Sequence, residues 1–269
     1  MIRTFYLLVA ALFLSPASYI YAQAAETTNK IIFQDDFIQN SNIPDTTIWK
    51  LCTYANNAWS QHFKHVKGYE NVKVDDGFLI LKVSKDGENY KNGGIRTKIG
   101  FPCNSRVDVK AKLNKLVKGG FPAIWQMPVG GKEWPVSGEV DIMEWVQKTP
   151  QSAYQTVHSS YNEKHSPIQD TGVTNVTDNL DLTEFHIYSA DRTPEAVIFY
   201  IDGVETGRYE NLHNDKESTQ FPYCSLPFDI ILNYSLGGEL NGRPTWPGTI
   251  DDEDLPGELI IDWVKVTEL

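Results

Sequence analysis

The chain has 269 residues, 35 acids against 24 lysines and arginines, and a formal net charge of −11. A surface this acidic repels phosphate backbones, which argues against a nucleic-acid partner and says little about neutral sugars. Three cysteines, Cys52, Cys103 and Cys224, lie far apart with no C-x-x-C spacing, which argues against a zinc site. An exported chain with three cysteines has room for one disulfide and one free thiol, and the spacing does not say which pair forms.

Residues 1–24 read as an export signal. Arg3 gives a positive start, Phe5 to Leu14 form an apolar run too short to span a bilayer, and Ala22-Gln23-Ala24 is a small-x-small cleavage site. The run contains no lipid-acceptor cysteine. The expectation is a periplasmic or secreted protein with one domain, 25–269, and no membrane span.

After a short polar leader, β-rich runs and turn signals alternate to the C-terminus. The runs include Gly77 to Val83, Arg106 to Ala111, Ala196 to Ile201, Phe228 to Asn233 and Glu258 to Val266. Several alternate polar with apolar residues, the period of a half-buried strand. Asp202-Gly203 between two such runs predicts a tight hairpin. Convincing helical windows are few, and Gly and Pro are spread as punctuation. The pattern predicts an all-β sandwich of many strands with a sheet face open to a polymer.

The chemistry concentrates in Ser137-Gly138-Glu139-Val140-Asp141-Ile142-Met143-Glu144-Trp145. On a regular strand Glu139 and Asp141 share one face, but Glu144 falls on the apolar one, where an unpaired carboxylate is costly. A β-bulge near Ile142-Met143 would turn Glu144 back to the face of the other acids. Glu139 and Glu144 would then stand roughly 13 Å apart at Cα, and their side chains could bring the carboxyls to about 5–5.5 Å, the separation of retaining glycosidases. Asp141 between them would raise the pKa of the group that must stay protonated. An ordinary acidic strand or a calcium site would use the same residue types. Trp125, Trp134 and Trp145 nearby supply the aromatic walls of a sugar cleft.

This stretch closely resembles the family 16 glycoside hydrolases, in the laminarinase-like branch with E-x-D-x-x-E spacing. Gly93 to Lys98, Phe121 to Pro128, Trp134 to Gly138, Thr156-Val157-His158, Leu232-Asn233, Leu236 to Gly238, Trp246-Pro247-Gly248 and Ile261 to Val266 carry the resemblance along nearly the whole mature chain. It implies a concanavalin-like β-jelly-roll with an open cleft and a retaining endo-hydrolase, acting as a monomer on a β-linked glycan. Glu139 is implied as nucleophile, Asp141 as assisting acid and Glu144 as general acid/base. Trp134, Trp125, Trp145, His158 and Asn233 are implied to bind substrate, with His158 hydrogen-bonding either a catalytic carboxylate or the sugar. No cofactor is implied for catalysis, and a structural calcium is implied at Asp36 and Asp262.

The sequence departs from the family pattern at Phe101 to Ser105, at Ala58 to Phe63 and at Asn233-Tyr234-Ser235. Gly130 to Glu133 and Asn162 to Asn175 are candidate specificity loops. These departures leave the substrate open between β-1,3- or β-1,3-1,4-glucan, placed first, and β-galactosides such as poly-N-acetyllactosamine or mucin-type O-glycans. A non-catalytic glycan-binding module has no need of both Glu139 and Glu144 at this spacing.

Overall fold

The structure is a computed structural model that describes residues 29–54, 57–161, 172–214 and 220–269. The export signal and part of the 162–175 loop lie outside the described residues. The strands are β1 (Ile31–Asp35), β2 (Trp49–Leu51), β3 (Val72–Asp75), β4 (Phe78–Asp86), β5 (Asn89–Lys91), β6 (Gly93–Thr97), β7 (Ser105–Leu113), β8 (Gly120–Pro128) and β9 (Glu139–Glu144). They continue as β10 (Ala153–His158), β11 (Gly172–Thr177), β12 (His186–Arg192), β13 (Ala196–Ile201), β14 (Val204–Glu210), β15 (Phe228–Leu236), β16 (Glu239–Leu240), β17 (Arg243–Pro244) and β18 (Gly257–Glu268).

Two antiparallel sheets pack face to face. One runs β14-β13-β12-β7-β18-β4-β3, with β1 on β18 and β5 on β4. The other runs β11-β10-β9-β8-β15-β6-β2, and β16 pairs with β17 apart from both. Their inner faces follow from alternation. Leu79, Leu81 and Val83 of β4, Val107, Val109 and Ala111 of β7, and Phe228, Ile230 and Leu232 of β15 all enter one buried cluster. Each such side chain contributes about 1.5–3 kcal/mol when fully buried. In β18 the alternation slips by one residue, between Ile261 and Trp263, so that Ile261 and Val264 both point inward.

The β13–β14 hairpin closes on Asp202 and Gly203 with φ of 51° and 79°, the two positive values that its twist requires. Cys103 and Cys224 form the disulfide, and Cys52 remains as a buried free thiol. Beside the disulfide, the buried Arg192 donates to the carbonyls of Phe101 and Pro102 on one segment and of Tyr223 and Leu226 on the other. Burial pushes its guanidinium down to about 10. Among the described residues no helix is long and apolar enough to cross a membrane.

Candidate active site

The seven-stranded sheet turns its other face to a cleft of about 690 Å³. Alternation on β8 sends Ile124 into the core and leaves Phe121, Trp125 and Met127 on the cleft side. On β15, Ile231 faces the cleft between core residues Ile230 and Leu232. Trp59 and Phe63, arriving from the segment after β2, pack on Trp125, Ala123 and Ile231 as a small second apolar cluster. A Cβ on Gly94 of β6 would stand 3.0 Å from the Phe63 ring and from Asn233 Cβ, so this cluster needs glycine there.

Strand β9 carries the acids, and it is bulged. Asp141 pairs with Thr156 and Glu144 with Tyr154, so three steps on β9 span two on β10. Against β8, Asp141 pairs with Trp125 and Met143 with Ile124, again one residue too many on β9. Ile142 and Met143 consequently both enter the core, and Glu144 returns to the half-exposed side with Glu139.

Glu139, Asp141 and His158 gather ligand atoms within 4.8 Å of one another. Trp134 Nε1 donates to Glu139 Oε2 at 2.6 Å, and His158 Nε2 lies 3.1 Å from Asp141 Oδ2. Burial, then the neighbouring Asp141 charge, pushes Glu139 up to about 8, while His158 and the Trp134 N–H pull it down. Glu139 therefore keeps its proton up to near-neutral pH, and the Trp134 N–H and His158 are the groups that favour its ionised form.

Trp134 is 52 % exposed and its ring lies 5.8 Å from that of His158, forming a wall at the Glu139 end. Trp125 is 7 % exposed and forms the floor, its edge against Trp59 at 5.0 Å. Trp246, 42 % exposed, forms the other wall and packs edge-on against Phe121 and Tyr154, the partner of Glu144. Sequence reasoning passed over Trp59 and Trp246 as binding residues. Trp246 had a signal in Trp246-Pro247-Gly248. Trp59 sits in the segment that departs from the family pattern, and only the folded chain brings it to Trp125.

Three expectations need correction. Trp145 is fully buried in the main core, with Nε1 donating to the Pro150 carbonyl, and does not reach the cleft. It follows Glu144 on the strand, so it turns inward as Glu144 turns outward. Asn233 is also buried. Its Oδ1 accepts from Trp125 Nε1 at 2.8 Å and its Nδ2 donates to Ser235 Oγ, so it orients the floor tryptophan from behind. Asp36 and Asp262 do not fit a calcium. Lys110 Nζ stands 2.7 Å from Asp262, where a cation would sit, and Asp36 accepts both bonds from the Gln34 amide. Asp262 is the residue spared by the register slip in β18, which explains its position outside the ladder. Within the 162–175 loop expectation, residues 172–175 belong to β11 and pair with β10.

The family model for Glycosyl hydrolases family 16 matches residues 59–265. The chain belongs to that family. It is an endo-acting β-glycosidase that hydrolyses O-glycosyl bonds. The Beta-glucanase of Rhodothermus marinus is 28% identical over 252 residues, 88% of this chain and 84% of its own length. The Keratan-sulfate endo-1,4-beta-galactosidase of Sphingobacterium multivorum is 27% identical over 256 residues, 91% of this chain and 56% of its own. A solved structure from work on how prominent members of the human gut microbiota express endo-acting O-glycanases to initiate mucin breakdown is 58% identical, with a TM-score of 0.86, covering 89% of this chain and 100% of its own. The non-specific endo-beta-1,3(4)-glucanase SCLam is 28% identical with a TM-score of 0.74, over 90% and 91% of the two chains.

Proposed function

We propose that this enzyme is a retaining endo-β-galactosidase that cuts internal linkages of mucin-type O-glycans, including poly-N-acetyllactosamine chains, after export as a monomer. Its support is the 58% identity to the O-glycanase structure over the whole of that chain, about twice the identity to either glucanase. Glu139, as carboxylate, attacks the anomeric carbon while Glu144 gives its proton to the departing sugar oxygen, and a glycosyl ester on Glu139 forms. Glu144, now ionised, takes a proton from water. The hydroxide attacks the same carbon, the ester bond breaks, and the original anomeric configuration is restored. The Trp134 N–H and His158 favour the ionised Glu139 that attack requires, and His158 holds Asp141 in place beside it. These side chains complete the chemistry by themselves.

The glucan reading remains second, supported by the Rhodothermus marinus and SCLam matches. The test offers poly-N-acetyllactosamine, mucin O-glycans, laminarin and barley β-glucan to the enzyme and to Glu139→Gln, reading oligosaccharide products and their first-formed anomer. Galactoside products with β-configuration, absent in the variant, are expected. Faster cleavage of laminarin or barley β-glucan would replace the proposal with the glucan reading, and an α-anomer would rule out retention.

A further inference from the structure

The register of the cleft sheet puts six residues in one line across its strands. Thr156, Asp141, Trp125, Ile231, Arg96 and Lys50 are successive cross-strand partners on β10, β9, β8, β15, β6 and β2. A glycan lying across the strands at Asp141 therefore follows this row, over an apolar floor of Trp125 and Ile231. It meets Arg96 after three strand spacings, roughly 14 Å, and Lys50 after one more. That end of the row is cationic in a chain whose net charge is −11.

The groups around it leave that charge uncancelled. Asp229 is the acid facing Arg96. It is buried, and its Oδ2 accepts from Arg96 Nε at 2.8 Å and Nη2 at 2.5 Å. Arg96 Nη1 donates to Tyr54 Oη, and both residues line the cleft. Of the five guanidinium N–H groups three are thus committed and two remain. Lys50 is exposed, directly opposite Arg96 on the neighbouring strand, and its charge also acts on Asp229. Lys98, on the same face of the sheet two residues after Arg96, donates to the Thr46 carbonyl and has Asp45 beside it. Two like charges placed directly opposite one another repel, and Asp229 balances only one of them.

We propose that the Arg96–Lys50 end of the cleft is a subsite for an anionic substituent on the glycan, a sulfate ester or a carboxylate, held a few sugar units from the bond that is cut. The remaining Arg96 N–H groups match a planar or tetrahedral oxyanion, Lys50 supplies a point charge, and Tyr54 provides a ring edge beside them. The subsite rests on the endo-galactosidase reading for the identity of the sugar, and on the row of residues alone for the anion.

The experiment measures kcat/KM at low salt on N-acetyllactosamine oligomers of one length in neutral, 6-O-sulfated and sialylated forms. Matched neutral and sulfated laminari-oligosaccharides run beside them. The enzyme is compared with Lys50→Glu and with the double variant Arg96→Gln, Asp229→Asn, which removes the pair without stranding a buried charge. The expected result is a preference for an anionic over the neutral oligomer of about threefold to tenfold. It shrinks at high salt and is lost in both variants, each judged against its own neutral-substrate rate. The sulfated and sialylated arms name the substituent. An anionic-to-neutral ratio of one in the parent enzyme, or a ratio unchanged in both variants, overturns the proposal. If laminari-oligosaccharides are cut and the galactosyl series is not, the galactosidase reading fails, and the sulfated-to-neutral ratio on the laminari pair still decides the anion subsite.

Discussion

Replacing Trp134 by Phe should separate the two tasks of that side chain. The indole face walls the cleft, and its Nε1–H donates to Glu139 Oε2 at 2.6 Å. Phe retains an aromatic face and removes the donor. A hydrogen bond to a charged acceptor is worth about 1.5–3 kcal/mol. Trp134 is half-exposed, so solvent replaces part of that, leaving about 1–2 kcal/mol. If the loss falls on the attacking carboxylate, kcat/KM drops about 5- to 30-fold, at about 1.4 kcal/mol per decade. The sign of the pH effect is also fixed. Trp134 lowers the Glu139 pKa by favouring its ionised form, so its removal raises that pKa. The acid limb of the kcat/KM profile, which reports ionisation of the nucleophile in the free enzyme, should move to higher pH. The assay is kcat/KM from pH 4 to 9 on the substrate cut fastest. A rate loss carried wholly by KM, with an acid limb that overlays the parent's, would mean that Trp134 is only a wall and that its bond to Glu139 has no part in the chemistry.

Glu139 also makes a stability prediction. Its folded pKa is raised from 4.5 to about 8, so between those values the folded state binds a proton that the unfolded chain has released, and stability falls as pH rises through that window. Glu139→Gln should therefore raise Tm more at pH 8 than at pH 4, and a shift independent of pH would count against a raised Glu139 pKa. Trp125→Phe and Trp145→Phe test the corrected assignment of the tryptophans. The first should raise KM, because the Asn233-oriented floor is disturbed. The second should cost about 2 kcal/mol of stability while leaving KM at the parent value, and a raised KM would return Trp145 to the cleft. Cys103→Ser with Cys224→Ser opens a cross-link between residues 121 apart in sequence. Denaturant unfolding should show a loss of about 2–4 kcal/mol. Arg192 bridges the same two segments, so turnover of the folded fraction should persist, and its disappearance would show that the disulfide shapes the site directly.

The sequence was most informative where one local rule had to give way. Regular alternation over Glu139 to Glu144 would have buried a carboxylate, and the cheapest repair was one extra residue near Ile142-Met143. The register has that residue, and it turns both apolar side chains inward. The hairpin at Asp202-Gly203 was legible for the same reason, since its two positive φ values are demanded within two residues. Legibility failed where direction depended on distant partners. Trp145 lies one residue beyond Glu144, and type and proximity suggested a cleft wall, yet the bulge that turns Glu144 outward leaves its neighbour facing the core. Asn233 carried a polar side chain on the correct face of β15, but Trp125 of the adjacent strand lies over it and takes its amide oxygen. The calcium expectation rested on the resemblance at Asp36 and Asp262, and a lysine from a neighbouring strand, Lys110 of β7, already pairs with Asp262. The cysteine pairing was open for the same reason, because the partners are brought together by loops flanking β7 and β15 and not by any local motif.

The cationic end of the cleft shows how far such reasoning extends once register is known. Lys50, Arg96, Ile231, Trp125 and Asp141 are scattered between positions 50 and 231 of the sequence, and no motif joins them. Their alignment follows from four strand pairings, each set by which side chains must face the sandwich core. Trp49, Ile95, Ile230, Ile124 and Val140 are buried there, and a slip of one residue in any of these strands would expose one of them and carry its neighbour out of the row. Under the proposed roles, the hydrophobic core sets where along the glycan a charge is met, and the acids on β9 set where it is cut. A substituent that reaches Arg96 must lie a set number of sugars from the broken bond. If the enzyme uses this end of its cleft, its products from an irregularly sulfated chain should carry the anion at one fixed position from the new chain end. Products with the anion distributed at random along their length would show that the row does not guide the chain.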